Sequence, residues 1–527
     1  MALSVPLLIP LVGLFAFFHF VIRPAVLSPL AKIPSAHWST PISSLWILSA
    51  RKRGIENQLL HDAHKKLGPV VRTGPCQLSV DGADALKIVY QGGFEKDPWY
   101  SVFDNYGVPC MFSARSAKDH SARKRMMANV YSKSYLQSSQ AAKDQAKIIL
   151  YQRLLPLLKE STLPQYKPNG IDVYSTFLGA TMDFISAYIF GISTSTNFIQ
   201  NKGYRGHWLE LYSARHGHLF WSQELPSLTG FFKGLGVWLY PRWVDYANDE
   251  LAAWNLDLCN KAEKYLSKEA AMNTEADEPV VLRSLNAGVD KETAANGTGS
   301  ILYSTVIQQR RLSVASEVFD HILAGQETAG IALTYLSWEM SQRPELQEQL
   351  RAELLTLKPN FLMKDASLPD PKHLDALPLL HAIVMETLRL HAPIPGPQAR
   401  QTPYPQCIID GYEIPGGVRI AAAAHTLHLD ERVFPKPLEW DPKRWIQAEA
   451  TEEEWKARHR QFWAFGSGGR MCIGSNFALN EMKNIVAAIY TNFTSHIVDD
   501  DGIEQVGGYS GGPVSGKLIL RFQEVNA

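Results

Sequence analysis

Phe465-Gly466-Ser467-Gly468-Gly469-Arg470-Met471-Cys472-Ile473-Gly474 is the stretch that decides the fold. Its glycines allow backbone angles that a β-carbon makes costly, so the run predicts a tight turn. Beyond it Phe477, Met482 and Ile485 keep a helical spacing to about Tyr490, which starts a helix near Cys472. A sulfur beside a helix amino terminus meets free N–H groups and partial positive charge, and both favour thiolate over thiol. With Arg470 close by, the loop offers the soft anionic ligand that a redox-active iron takes. An inert buried cysteine in a glycine turn is the competing reading. It leaves the joint occurrence of Phe, Gly, Arg, Cys and Gly without a reason.

The pattern Phe465-x-x-Gly468-x-Arg470-x-Cys472-x-Gly474 resembles the haem-binding loop of the cytochromes P-450 at each fixed position. The resemblance implies heme b, with Cys472 as the axial thiolate ligand of its iron. Further segments follow in the family's order. Glu386-x-x-Arg389 sets carboxylate and guanidinium on one helix face. By resemblance the pair belongs to a buried structural network, completed by Arg444 of Pro437-x-x-Trp440-x-Pro442-x-Arg444-Trp445.

Ala324-Gly325-Gln326-Glu327-Thr328 lies midway along a long helical pattern, Ser313 to Ser341. Gly325 costs a helix ~1 kcal/mol relative to Ala, so something is expected to approach closely there. Thr328 can hydrogen-bond to a carbonyl one turn earlier and loosen the helix. The family likeness makes Gly325, Glu327 and Thr328 the catalytic set, a kink for oxygen with a proton relay. It also assigns Arg470, Arg400, His120 and Lys124 to the haem propionates, Lys124 standing where relatives carry Arg. A lysine there supplies a point charge without the bidentate fork.

Composition narrows the rest. The 527 residues carry 52 basic and 52 acidic side chains, which removes the electrostatic footprint of a nucleic-acid binder. Five cysteines in such a length make no disulfide framework. The fold class expected is mainly α with smaller β sheets: the cytochrome P-450 fold, a single large haem domain after an amino-terminal transmembrane helix.

Leu3 to Ile22 is almost wholly apolar and long enough for a ~30 Å hydrocarbon core. A cleavable signal would need a basic start, and neither Lys nor Arg precedes Arg23. Positive charge after the span puts the body on the cytosolic side, as in an endoplasmic reticulum anchor. The boundaries that follow are an anchor over 1–23, a proline-bearing linker over 24–45 and a haem domain over 46–527. A flexible loop is expected at about 269–300, from its Ala, Asn, Gly, Thr and charge content. The aromatics between Trp208 and Trp243 read as helix packing, with a greasy lid or a second membrane contact as the alternative. His61-x-x-His64 reads as an exposed helix face rather than a metal pair.

The function implied is a haem-thiolate monooxygenase, a monomer oxidising a small, bulky, apolar substrate. Electrons would come from NADPH–cytochrome P-450 reductase, with cytochrome b5 as a further donor, because no Gly-rich loop opens a βαβ unit. By analogy the pocket is walled by residues 99–112, 319–325, 394–395 and 509–513. Two rivals stand beside this reading: a haem-thiolate isomerase or dehydratase working without external oxygen, and a non-enzymatic membrane haem protein. Both would tolerate loss of Glu327 and Thr328, which this chain retains.

Overall fold

The longest apolar period in the sequence becomes the longest helix. In the computed structural model, which describes residues 5–266 and 274–525, six helices line the central cavity and an unburied apolar helix precedes them. They are α1 (Val5–Phe17), α2 (Ala117–Arg125), α3 (Val173–Phe190), α4 (Lys202–Gly217), α5 (Arg310–Ser341), α6 (Pro378–Leu390) and α7 (Ser475–Asn492). Helix α5 runs 32 residues unbroken across α3. Two glycines permit that crossing: a β-carbon on Gly325 would stand 2.8 Å from Ile185, and one on Gly330 2.7 Å from Leu178. The close approach expected at Gly325 is therefore a helix–helix contact.

Among the described residues ten short strands build three sheets: β1 (Val70–Gly74), β2 (Gln77–Val80), β3 (Glu95–Lys96), β4 (Ile171–Asp172), β5 (Pro397–Gln401), β6 (Gln406–Ile409), β7 (Tyr412–Pro415), β8 (Arg419–Ala423), β9 (Phe493–Asp499) and β10 (Ile519–Glu524). The largest sheet has the order β1-β2-β8-β5-β3, the second β4-β10-β9, and β6-β7 is a hairpin. Among the described strands only β2 and β8 pair in parallel, so no βαβ alternation arises there. The main core lies among the helices, with Phe177, Ile185, Val318, Leu336 and Ile485 at its centre. A second core backs the five-stranded sheet.

Several expectations need correction. The amino-terminal helix does not stop at residue 23: wider turns carry it over Phe18–Leu27, and Pro10–Leu27 has mean hydropathy 1.8 with none of it buried. The proline-bearing linker is docked rather than free. Leu30 and Ile33 enter the second core, while Arg72 N donates to Pro34 O at 2.7 Å and Ala36 N to Arg72 O at 2.9 Å. Much of the expected loop at 269–300 is a helix, Val280–Asn296, which buries Val281, Leu282, Leu285 and Val289. That three- and four-residue spacing outweighs the polar composition; residues 267–273 lie outside the described residues. His64 is buried, bonding Gly68 O and Ser79 Oγ, so the His61 face is not simply exposed. The aromatic segment divides: Trp208 is fully buried, whereas Phe231, Leu235 and Trp243 stand out from the surface.

Candidate active site

The cysteine loop is shaped by its glycines and closed by its own backbone. Gly468 has φ +73°, and a β-carbon there would lie 2.3 Å from Tyr90 O. Cys472 N donates to Phe465 O at 2.9 Å, and Met471 N to Gly468 O at 3.1 Å. Helix α7 starts at Ser475, three residues after the cysteine, so the N–H groups of Gly474 and Ser475 point at the sulfur. Burial pushes the Cys472 thiol up, while those N–H groups and the Lys124 ammonium pull it down. Cys472 lines the central cavity and keeps accessible surface.

Behind the loop stands a fully satisfied polar network. Arg389 grips Glu386 with two hydrogen bonds of 2.9 and 2.7 Å, and Arg444 Nε adds a third at 3.2 Å. Trp445 Nε1 and Asp441 N complete the set on the same carboxylate, each at 2.9 Å. Glu386 is 0% exposed, so each of these bonds forms away from water. His428 carries the network to the loop: its Nδ1 bonds Arg389 O at 2.8 Å, and its Nε2 accepts from Trp463 N, also at 2.8 Å. Burial, then the Arg389 charge, holds His428 neutral and lowers it to about 3. Nothing in the spacing of His428 marked it; its partners are remote backbone groups.

One stripe of α5 faces the cavity: Asp320, Leu323, Ala324, Glu327 and Thr328. Spacings of three, four and seven put these side chains on a single face. Thr328 Oγ1 donates back to Ala324 O at 2.8 Å, as its position suggests. Glu327 accepts from Tyr212 of α4 at 2.7 Å and from Ser510 at 3.1 Å. Burial and then the Glu327 charge push the Tyr212 phenol well up. Gly325 touches the cavity, but its lack of a side chain serves the contact with α3. Of the expected walls, Phe103, Phe112, Ile394 and Tyr509 line the cavity. Trp99 instead donates to Glu224 at 2.6 Å. The α4 side chains Tyr212, Arg215 and His216 also line it, and no motif announced them.

Cations crowd one end of the cavity. Arg470 lines it and donates to Ala114 O at 2.7 Å and to Arg115 O. His120 lines it as well, held neutral and lowered to about 3 by burial and by Arg470. Two expected contributors stand back from it. Arg400 lies under the rings of Tyr90 and Tyr100, and Lys124 donates to Gly469 O and Met471 O of the loop. A residue the sequence reading overlooked takes the place: Lys96, the cross-strand partner of Arg400, lines the cavity. Burial, Arg400 and Arg470 depress Lys96 well below the usual lysine range, and burial and Arg400 bring Arg470 down to about 10. Like charges directly opposite on a sheet are destabilising. Buried cations that disfavour one another are the donor set for an anionic ligand, and a soft sulfur faces the same space. These residues fit haem b, with Cys472 for its iron and Lys96 and Arg470 for its carboxylates.

Comparison with known proteins agrees with this chemistry. A family model described as cytochrome P450 matches residues 37–507. The chain is 27% identical over 436 residues to cytochrome P450 monooxygenase avaI of Aspergillus versicolor, covering 80% of this chain and 94% of that protein. It is 25% identical to cytochrome P450 monooxygenase stcB of Emericella nidulans, covering 91% and 87%. It is 24% identical to pisatin demethylase of Fusarium vanettenii, covering 90% and 87%.

Proposed function

This chain belongs to the cytochrome P450 family, whose members bind heme b through a cysteine thiolate, and we propose that it is a membrane-anchored monooxygenase of secondary metabolism that oxidises a small organic molecule. The observation that carries the proposal is that Cys472, Glu327 and Thr328 open onto one cavity. When bound, haem supplies oxygen activation and oxidation of a C–H or C=C bond.

The chain supplies the setting. Cys472 Sγ is the iron ligand, fixed by the Phe465–Cys472 backbone bond and by the N–H groups at the start of α7. Lys96 and Arg470 neutralise the propionates, and neutral His120 offers a ring nitrogen beside them. Glu327 and Thr328 carry the protons: Glu327 is hydrogen-bonded to Tyr212 Oη, and Thr328 Oγ1 is held by Ala324 O. A hydroxyl donated to a backbone carbonyl keeps its oxygen free to accept a further hydrogen bond toward the cavity.

The family draws electrons from a redox partner. Here that partner is NADPH–cytochrome P-450 reductase, with cytochrome b5 as a further donor, at the endoplasmic reticulum membrane. The unburied apolar run Pro10–Leu27 and the exposed Phe231, Leu235 and Trp243 support membrane attachment. Substrate oxidation on adding reductase, NADPH and candidate metabolites to the haem-loaded protein is the test. An isomerase, a dehydratase or a haem carrier gives no reductase-dependent oxidation, and that result would displace the proposal.

A further inference from the structure

A phenol–imidazole pair stands in the cavity wall with no part in the site described so far. Tyr131 and His321 both line the cavity and are almost wholly buried. Tyr131 Oη and His321 Nδ1 share a hydrogen bond of 2.8 Å, and among the described residues the phenol has no other partner. The phenol proton therefore goes to Nδ1, which leaves Nε2 to carry the imidazole's own proton. Nε2 lies 3.6 Å from Glu317 Oε1, within ion-pair distance but too long for a hydrogen bond. Glu317 is itself fixed by Met111 N, at 3.1 and 2.8 Å from its two oxygens. Phenol, base and carboxylate follow one another in series.

The pair is also tied to the cysteine. Asn476, four residues beyond Cys472, donates its Nδ2 to Tyr131 O at 3.1 Å. Phe477 lines the cavity and meets the Tyr131 ring edge to face, the centroids 6.3 Å apart. The phenol thus sits against the first turn of α7, next to the loop that would hold the haem iron. Two other cavity tyrosines lack this setting. Tyr212 directs its proton to the Glu327 carboxylate, and a carboxylate is a weaker base than an imidazole. Among the described residues the Tyr509 phenol has no hydrogen-bond partner.

Removing an electron from a phenol makes its proton strongly acidic, and a buried site disfavours the cation that would form if the proton stayed. A base already hydrogen-bonded to the oxygen removes that obstacle, because the positive charge comes to rest on His321 with Glu317 beside it. We propose that Tyr131 is a redox-active residue, giving one electron to the haem after peroxide has oxidised it in the absence of substrate. In that step the Tyr131 O–H bond breaks: the electron goes to the haem and the proton to His321 Nδ1. A neutral phenoxyl radical and an imidazolium remain. One oxidising equivalent is thereby drawn off the haem instead of attacking the pocket. The proposal rests on the reading of this cavity as the seat of a cysteine-ligated haem.

The test mixes haem-loaded, substrate-free full-length protein with hydrogen peroxide and freezes it within milliseconds for electron paramagnetic resonance. Wild type should give a radical signal that narrows when the protein is made with ring-deuterated tyrosine. Per bound haem, Tyr131→Phe should lower that signal at least fivefold. His321→Gln, which keeps an acceptor but no base, should lower it at least twofold, and Tyr212→Phe should leave it within twofold of wild type. Absence of a tyrosyl signal in wild type, full signal in Tyr131→Phe, or loss only in Tyr212→Phe would overturn the proposal. Those outcomes leave the haem seat standing, and the carbon-monoxide difference spectrum of the same samples checks it separately. A protein without a thiolate-type band in that spectrum would overturn the seat and the proposal together.

Discussion

The two sides of the cavity are built on opposite terms. On the cysteine side, Glu386, Arg389, Arg444 and His428 form a closed network in which the central carboxylate accepts five hydrogen bonds. On the α5 side the polar groups are held by fewer bonds: Glu327 accepts from Tyr212 and Ser510, and Thr328 donates to Ala324 O and keeps acceptor capacity unused. The first arrangement holds the loop that carries the sulfur through His428 and Trp463. The second leaves partners to be supplied by what enters. Stability belongs to the closed side and selectivity to the open one, so substitutions on the two sides should report in different measurements.

The largest effect is expected at Glu386. Glu386→Ala strands two buried guanidinium groups, a change that typically costs 3–5 kcal/mol. Thermal unfolding should show a much less stable protein with little haem; near wild-type behaviour would mean that the network is not what holds the loop.

Next comes the pH dependence carried by His428. The unfolded imidazole takes a proton below about pH 6.5, the folded one only near 3. Its contribution is flat above pH 6.5, and stability then falls by up to about 1.4 kcal/mol per pH unit on acidification toward 3. Denaturant titrations of wild type and His428→Gln should differ in slope below pH 6.5, and parallel curves would remove His428 from the network.

A smaller effect with a distinctive sign is expected at Lys96. Lys96→Met removes a buried charge opposed by Arg400 and Arg470. The haem-free protein should gain about 1 kcal/mol, while haem should dissociate faster. Loss of stability in both forms would contradict the cationic wall.

The smallest effect on stability belongs to the open side. Thr328→Ala should stay within about 1 kcal/mol of wild type, yet release more peroxide per NADPH consumed. Unchanged coupling would exclude Thr328 from proton delivery.

The same division explains what was legible in the sequence. The cysteine loop, the Glu386/Arg389 pair and Arg444 sit in short runs where type and spacing constrain geometry, and the long helix follows its apolar period. Lys96, Tyr212, Ser510 and His428 could not be read that way. Each acquires its place from a partner far along the chain: Lys96 from the register of β3 on β5, Tyr212 from the packing of α4 over α5. Arg400 rests on the rings of Tyr90 and Tyr100 and Lys124 on loop carbonyls, because a motif fixes a position but not what a flexible side chain finds there. The helix Val280–Asn296 was hidden by polar composition, although its five buried aliphatic residues include Val281, Leu285 and Val289 at helical spacing.

The central claim is that Cys472 would hold the iron of a haem bound in this cavity. The carbon-monoxide difference spectrum of the reduced protein, recorded for wild type and Cys472→Ala, tests it most directly. A thiolate-type Soret band in wild type that disappears in the variant is the predicted result, and an identical band in both proteins would contradict the account.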